Sequence, residues 1–558
     1  MWHILLLYII SIVKIKIVLR IFYQIYFRGN IHMVTTNDLI APEFYNITEE
    51  LEKFSQDSNR QAIRWLNAQQ ERRTVSYTEL VQKMNQYANA FTQQGLQKGD
   101  RVLVIVPRLP EAYFVFLGCL KAGIVPISCS EMLRASDLEY RMEHSSASAV
   151  ISYEAFTEEV DRITSAVEAL KNKLVIGTAV GDWVSLNELA NTQPTTFTAV
   201  TTKRDDMAFL SYTSGTTGKP KGVVHSHGWG YAHIRTAASQ WLCVREGDLV
   251  WATAAPGWQK WIWSPFLSAI MLGATAFVYH GGFDAKTYLQ LIQDEKVNVL
   301  CCTPTEYRIM AKLDNLADYN LSSLRSAVSA GEPLNRPVIE TFMKHFALKV
   351  RDGYGQTENT LLIGTLENIE LRPGSMGVPT PGNIVRIIDN EGNEAPVGEV
   401  GDIAIHKSSP ALFKEYYREP ERTQAAFRGD WYITGDQAKR DEDGYFWFEG
   451  RGDDIIISSG YTIGPFEVED ALNKHEAVQE CAVVAAPDEI RGHIVKAFVI
   501  LRDGFKEHDK EALVKELQEH VKALTAPYKY PRSIIFIDEL PKTTSGKIRR
   551  VELRAITV

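Results

Sequence analysis

The densest run of potential chemistry in the chain is Ser211-Tyr-Thr-Ser-Gly-Thr-Thr-Gly-Lys-Pro-Lys-Gly222. Hydroxyl side chains and glycines at this density give a loop with accessible backbone N–H groups, and Lys219 and Lys221 add positive charge, a combination suited to a polyphosphate. The candidate contacts are Thr213, Ser214, Gly215, Thr216, Thr217, Gly218, Lys219 and Lys221. The stretch is not a Walker A loop: only two residues separate Gly215 from Gly218-Lys219, and Pro220 stands where a Ser or Thr must open a helix. A polar surface linker is the plain alternative for this stretch taken alone.

Further segments follow in order: Ala330-Gly-Glu-Pro-Leu334, Asp352-Gly-Tyr-Gly-Gln-Thr-Glu358, Tyr432-Ile-Thr-Gly-Asp436, Gly450-Arg-Gly-Asp-Asp454 with Ser459-Gly-Tyr461, and Pro541-Lys-Thr-Thr-Ser-Gly-Lys547. With the hydroxyl-rich loop, their order and spacing over roughly residues 40 to 555 resemble the adenylate-forming superfamily of acyl-CoA synthetases, carrier-protein adenylation domains and luciferases, and most of all medium-chain acyl-CoA synthetases. The resemblance implies ATP, Mg²⁺ and coenzyme A as cofactors and a small carboxylic acid as substrate. Tyr354 offers a flat face for adenine, opposed by the backbone of Gly331, Glu332 and Pro333, and Asp352 can accept from the adenine amino group; Gly353, Gly355 and Gln356 complete that stretch. A structural tyrosine is the ordinary alternative. By resemblance Glu358 supplies a hard oxygen for Mg²⁺ and Thr357 a hydroxyl for the α-phosphate. Asp436 is suited to the ribose hydroxyls, though an Asx-turn would also explain it, and Arg451 contacts ribose and phosphate.

Lys547 is the implied adenylation lysine. Its ammonium would meet the negative charge that concentrates as two anions approach, an interaction of about 4 kcal/mol at about 4 Å and an effective dielectric of about 20. Thioester formation needs that lysine withdrawn, and the family achieves this by rotating a small domain about a hinge, here Asp453. Ser459, Gly460 and Tyr461 would then line the pantetheine passage, and Arg491 could pair with a CoA phosphate. Thr462 departs from medium-chain relatives, which often carry arginine there. Acetate-specific relatives carry a tryptophan at the place of Gly355, so an open pocket and a short-to-medium or branched acid are expected, with Gly355→Trp shifting preference toward acetate. Trp258, in a run that also holds Trp261 and Trp263, is a second pocket candidate; core packing is the alternative.

Positioning these groups calls for a particular set of elements. Apolar residues Leu80, Met84, Tyr87, Ala88 and Phe91 recur at helical spacing before Gly95, and a β-branched run, 101–106, follows. Helix and buried strand alternate again at 113–122 and 124–127, and at 287–294 and 297–302, which predicts parallel α/β architecture. After about Pro373, short strands joined by Asp-Asn-Glu-Gly and Asp-Glu-Asp-Gly turns predict a β-rich part, 373–450. Residues 451–558 read as a small, mobile α+β domain whose clearest helix shows Leu513, Leu517, Val521 and Leu524 on one face. The expected fold is therefore α/β: a large AMP-binding domain over 33–450 and a small C-terminal domain.

At 558 residues the chain is too long for one core. Its net charge of −9, with no basic block beyond the N-terminus, gives no nucleic-acid footprint. Six scattered cysteines without CxxC spacing indicate a reducing, cytoplasmic setting. Residues 1–32 differ in texture: an apolar start interrupted by Lys14, Lys16, Arg20 and Arg28 is too short to span a bilayer. They read as translated leader with Met33 as the start, which takes the charge to −13; a membrane-surface segment is the rival. An α/β-hydrolase fails for want of a G-x-S-x-G elbow, despite His280-Gly281-Gly282. His225, His227 and His233 lack a carboxylate partner at metal-site spacing and read as packing or substrate-side residues. A non-catalytic nucleotide binder and a carrier-protein-loading adenylation enzyme are the remaining rivals, and oligomeric state is not legible.

Overall fold

In the computed structural model the described residues are 34–556, apart from 164–169, 171, 214–219, 332–333, 335, 453, 459–460, 489–490, 526 and 543–547. The leader expectation for residues 1–32 and Met33 thus lies outside them. Among the described residues the chain forms three sheets.

The first has eight strands, with Arg101–Ile105, Val125–Ser128, Ala149–Tyr153, Asn172–Ile176 and Met207–Thr213 parallel at its centre. Its covering helix, Tyr77–Gln93, starts where Ser76 accepts from the Glu79 N–H at 3.1 Å and stops before Gly95, whose φ of +77° an L-residue rarely adopts. The five apolar residues predicted for its inner face are all buried. They pack on the helix Pro110–Lys121, where a side chain at Gly118 would press on Tyr87 and Ala88.

The second sheet has fourteen strands. Parallel members Gln61–Asn67, Thr275–His280, Leu249–Ala252, Val299–Cys302, Ser326–Ala330 and Val350–Gly355 carry the α/β part. The strand Leu361–Gly364 then turns back antiparallel, and Ser375–Pro379 pairs with it on one side and with Phe446–Arg451 on the other. The β-rich part expected from about residue 373 is thus joined edge to edge to the α/β sheet. Trp431–Arg440 runs ten residues as a strand that the sequence does not announce, because polar Thr434 and Asp436 take buried positions while Trp431 and Ile433 take the less buried ones.

The small domain's sheet comprises Ile456–Ser458, Tyr461–Ile463, Gly492–Leu501, Val478–Asp488 and Ser533–Phe536. The helix Lys510–Leu524 buries Leu513, Leu517 and Val521 on it, but Leu524 ends the helix half exposed, outside the predicted face. Against the large domain the small one sets the helix Pro465–Asn473, with Phe466 meeting Phe448 edge-on at 4.9 Å. No helix among the described residues is long and apolar enough to cross a membrane.

Candidate functional site

The sequence-predicted residues gather where the two large sheets meet, at the carboxyl ends of parallel strands, the place where open α/β sheets bind ligands. Met207–Thr213 and Lys221–Ser226 pair antiparallel through Tyr212↔Gly222 and Thr213↔Lys221, so the hydroxyl-rich loop is the turn of a hairpin at a sheet end. Its residues 214–219, carrying Ser214, Gly215, Thr216, Thr217, Gly218 and Lys219, lie outside the described set. Across the gap, Ser326–Ala330 ends in Gly331 at φ +108°, and Val350–Gly355 ends in the Tyr354 stretch. Glu332 and Pro333 lie outside the described residues.

Three predicted residues, from two motifs, converge on the carboxylate of a third motif, Asp436. The Tyr354 hydroxyl and the Gln356 amide each donate to Asp436 Oδ2 at 2.6 Å, and Arg451 Nε lies 3.9 Å from Asp436 Oδ1. Gln356 also donates to the Thr434 carbonyl at 2.9 Å. Asp436 and Arg451 are direct partners across paired strands, which is why they meet. Burial and the adjoining carboxylate hold the Tyr354 phenol protonated, so its hydroxyl is a fixed donor and its ring a fixed plane. Asp352 is buried at the strand's end, accepting from Gly353 N–H at 2.8 Å and Leu334 N–H at 3.4 Å; burial pushes its carboxyl up to about 7.

On the facing hairpin, Lys221 Nζ is 3.2 Å from Glu358 Oε1, and the Tyr416 hydroxyl donates to the same oxygen at 2.9 Å. Tyr416 comes from the short strand Glu415–Tyr416 paired to Lys221–Ser226. Sequence reading missed it, because nothing local marks a tyrosine brought in by an edge strand. Thr357 holds its place through its carbonyl, which accepts from His225 Nε2 at 2.6 Å. Thr213 Oγ1 and Gln356 Oε1 are buried and have no partner among the described residues, open valences that suit a polar ligand. Gln259 and Lys260 were also missed: Gln259 accepts from Ser211 at the head of the loop, and Lys260 donates to the Ala330 carbonyl at 2.6 Å, tying the tryptophan run to both nucleotide-facing strands.

The histidines are packing residues. His233 stacks on Trp229 at 5.4 Å between rings, and His225 lies tilted against the same indole at 4.4 Å. His233 donates from Nε2 to the Trp263 carbonyl at 2.9 Å and accepts at Nδ1 from Thr360 at 2.5 Å, while His227 Nδ1 accepts from Ile47 N–H at 3.2 Å. Burial pushes all three down to about 4, which leaves them neutral. No group of three or more His, Cys, Asp or Glu among the described residues is arranged to hold a metal. All six cysteines are buried and unpaired.

Gly355, expected to leave the acyl pocket open by lacking an indole, has a packing role of its own. A Cβ there would overlap the Thr360 carbonyl oxygen and stand 2.9 Å from its carbon, because the hairpin from Val350–Gly355 to Leu361–Gly364 folds back on this residue. The glycine is required by that close approach, and a tryptophan has no room without moving backbone. Trp258 is half buried ahead of the short helix Gln259–Trp261, whereas Trp261 packs wholly in the core against Tyr113, Phe116 and Phe266. In the small domain Ser458 pairs with Gly492, the neighbour of Arg491; Ser459, Gly460, the expected hinge Asp453 and Lys547 lie outside the described residues. A cavity of about 300 Å³ lined by Lys98, Arg101 and Asp206 sits at the amino ends of the first sheet's strands, away from this site.

A two-sheet α/β large domain with a nucleotide-shaped cluster at its strand ends, followed by a small α+β domain, defines the adenylate-forming class. Residues 52–417 match the AMP-binding enzyme family and residues 467–547 the AMP-binding enzyme C-terminal domain. A Bacillus subtilis (strain 168) protein described as an uncharacterized acyl-CoA ligase, YtcI, is 57% identical over 94% of this chain and 98% of its own. The mouse mitochondrial acyl-coenzyme A synthetase ACSM3 is 40% identical over 92% and 90%. The anthranilate CoA ligase AuaEII, solved in complex with anthranoyl-AMP, superposes with a TM-score of 0.85 at 31% identity, covering 93% of this chain and 98% of that one. The chain belongs to the AMP-binding enzymes and, within them, is an acyl-CoA ligase.

Proposed function

We propose that the enzyme joins a small carboxylic acid to ATP as an acyl-adenylate with release of pyrophosphate, then transfers the acyl group to the thiol of coenzyme A with release of AMP. The observation that carries this is the convergence of Tyr354, Gln356, Asp436 and Arg451 on one side and Thr213, Lys221 and Glu358 on the other. Tyr354 would bear on adenine, Asp352 accept from its amino group, and Asp436 accept from the ribose once its present donors make room. Lys221 and the loop ahead of it would hold the β- and γ-phosphates. Glu358 fits Mg²⁺ as a lone hard carboxylate, since that ion takes one or two carboxylates and fills its shell with phosphate oxygens and water. When bound, the ion would neutralise polyphosphate charge.

In the first step a carboxylate oxygen attacks the α-phosphorus and the bond to pyrophosphate breaks, with Lys547 and Thr357 meeting the added charge. In the second, the CoA sulfur attacks the acyl carbonyl carbon and the bond to AMP breaks. Rotation about Asp453 would withdraw Lys547 and present Ser459, Gly460, Tyr461 and Arg491 to CoA. The pairing of Ser458 with Gly492 supports this, since it sets the strand Ile456–Ser458 against the strand that follows Arg491. The acid is taken to be short-to-medium or branched rather than acetate, on the resemblance to medium-chain acyl-CoA synthetases. The buried, unpaired cysteines support a cytoplasmic setting.

The test is pyrophosphate release across C2 to C10 straight, branched and aryl acids, with and without CoA. Release with several C4 to C8 acids and CoA-dependent AMP formation are expected. Silence with every acid, or turnover needing a carrier protein in place of CoA, would overturn the reading.

A further inference from the structure

Outside the nucleotide site, two buried carboxylates and two partly buried arginines of the small domain form one cluster. Asp454, one residue past the hinge position, is 7% exposed, and Glu469 on the helix Pro465–Asn473 is 6% exposed. Arg550 and Arg554, one turn apart on the helix Arg550–Ala555, reach both. Arg550 grips Glu469 with one nitrogen at 2.7 and 3.0 Å from its two oxygens, lies 3.8 Å from Asp454, and donates to the Val483 carbonyl at 3.3 Å. Arg554 pairs with Asp454 Oδ1. Glu469 also accepts from Val483 N–H at 2.7 Å.

The cluster links places that the chemistry needs linked. Arg550 follows Lys547 by three positions in the sequence, and the described residues on either side of that lysine are tied to each other by the Lys542↔Ile548 bridge and the Arg549 N–H to Pro541 carbonyl bond of 2.8 Å. Asp454 is tied to the large domain's last strand by its N–H, which donates to the Arg451 carbonyl at 2.9 Å. Arg550 lies 4.7 Å over the Phe466 ring, whose other contact is Phe448 of the large domain. Buried ion pairs add little net stability over an apolar filling of the same shape, but their donor geometry fixes one arrangement.

We infer that Asp454, Glu469, Arg550 and Arg554 are positioning residues for the adenylation half-reaction, clamping the Lys547 segment to the turn just past the hinge so that lysine and hinge move as one body. This rests on the proposed role of Lys547. Because only the first step uses that lysine, loosening the clamp separates the two steps. A purely structural role would depress both alike.

Asp454→Asn, Arg554→Gln and their double variant are assayed with hexanoate, or the panel acid that outruns it, for acid-dependent ATP–pyrophosphate exchange. The same proteins are assayed for conversion of the matching synthetic acyl-AMP plus CoA to thioester. Exchange is expected to fall about 10- to 100-fold and thioester formation by less than about 3-fold, with the double variant no worse than the worse single one. Equal loss in both assays, as misfolding would also give, or no loss in either, overturns the clamp. Lys547→Ala is the separate check on the underlying reading. If it keeps parental exchange, the lysine assignment fails; if it shows the split and the clamp variants do not, only the clamp fails.

Discussion

Glu358 shares one oxygen with an ammonium and a phenol, and the phenol is the part no motif announces. Removing it with Tyr416→Phe leaves Lys221 facing that oxygen, and the lost charge-assisted bond is of the order of 1.5–3 kcal/mol. A several-fold shift in the Mg²⁺ concentration that half-saturates pyrophosphate release is expected; an unchanged Mg²⁺ titration would show the hydroxyl to be idle. Asp352 offers a second residue-level test. Burial raises its folded pKa to about 7, so its contribution to stability is present at acid pH and lost as pH rises through that value. A bound adenine amino group favours the ionised form, so adenosine, which has no phosphate to titrate, is expected to bind several-fold tighter at pH 8 than at pH 6 by calorimetry. Asp352→Asn should flatten that dependence.

Among the elements, the hairpin after Val350–Gly355 shows what a sequence hides. The motif around Tyr354 was legible, as were Thr213, Lys221, Asp436 and Arg451, because each sits in a local pattern of turn and polar residues. The reason for Gly355 was not, since the group it makes room for is backbone five residues away. Gly355→Ala is therefore expected to cost about 1–3 kcal/mol and to depress adenylation, read by denaturant melts and exchange. A variant as stable as the parent would return the glycine to a pocket role. The same limit explains Gln259, Lys260 and Tyr416: their partners lie on strands brought together only by folding. Helices and buried strands of the α/β part were readable from period and caps, while the length of Trp431–Arg440 and the continuity of the large sheet were not.

At the scale of the molecule, three neutral imidazoles lie in one interior. Burial holds His225, His227 and His233 near 4, below the ordinary value of about 6.5. Lowered folded values mean that stability is full above about pH 6.5 and is lost as pH falls toward 4, at roughly 2 kcal/mol per imidazole by pH 5. Asp352 opposes this with the other sign, so the net acid slope should approach two protons. Urea midpoints between pH 7 and 5 are expected to fall steeply, and less so in His227→Gln; parallel curves for variant and parent would remove the histidines from the account.

The continuous large sheet has a last consequence. Between Val350–Gly355, which offers Tyr354, and Phe446–Arg451, which leads into the hinge, stand only Leu361–Gly364 and Ser375–Pro379, each bonded to the next. If the smaller body turns as proposed, a tilt given to the bed beneath the base would be handed across three ladders of backbone bonds to its axle, with no side-chain courier needed.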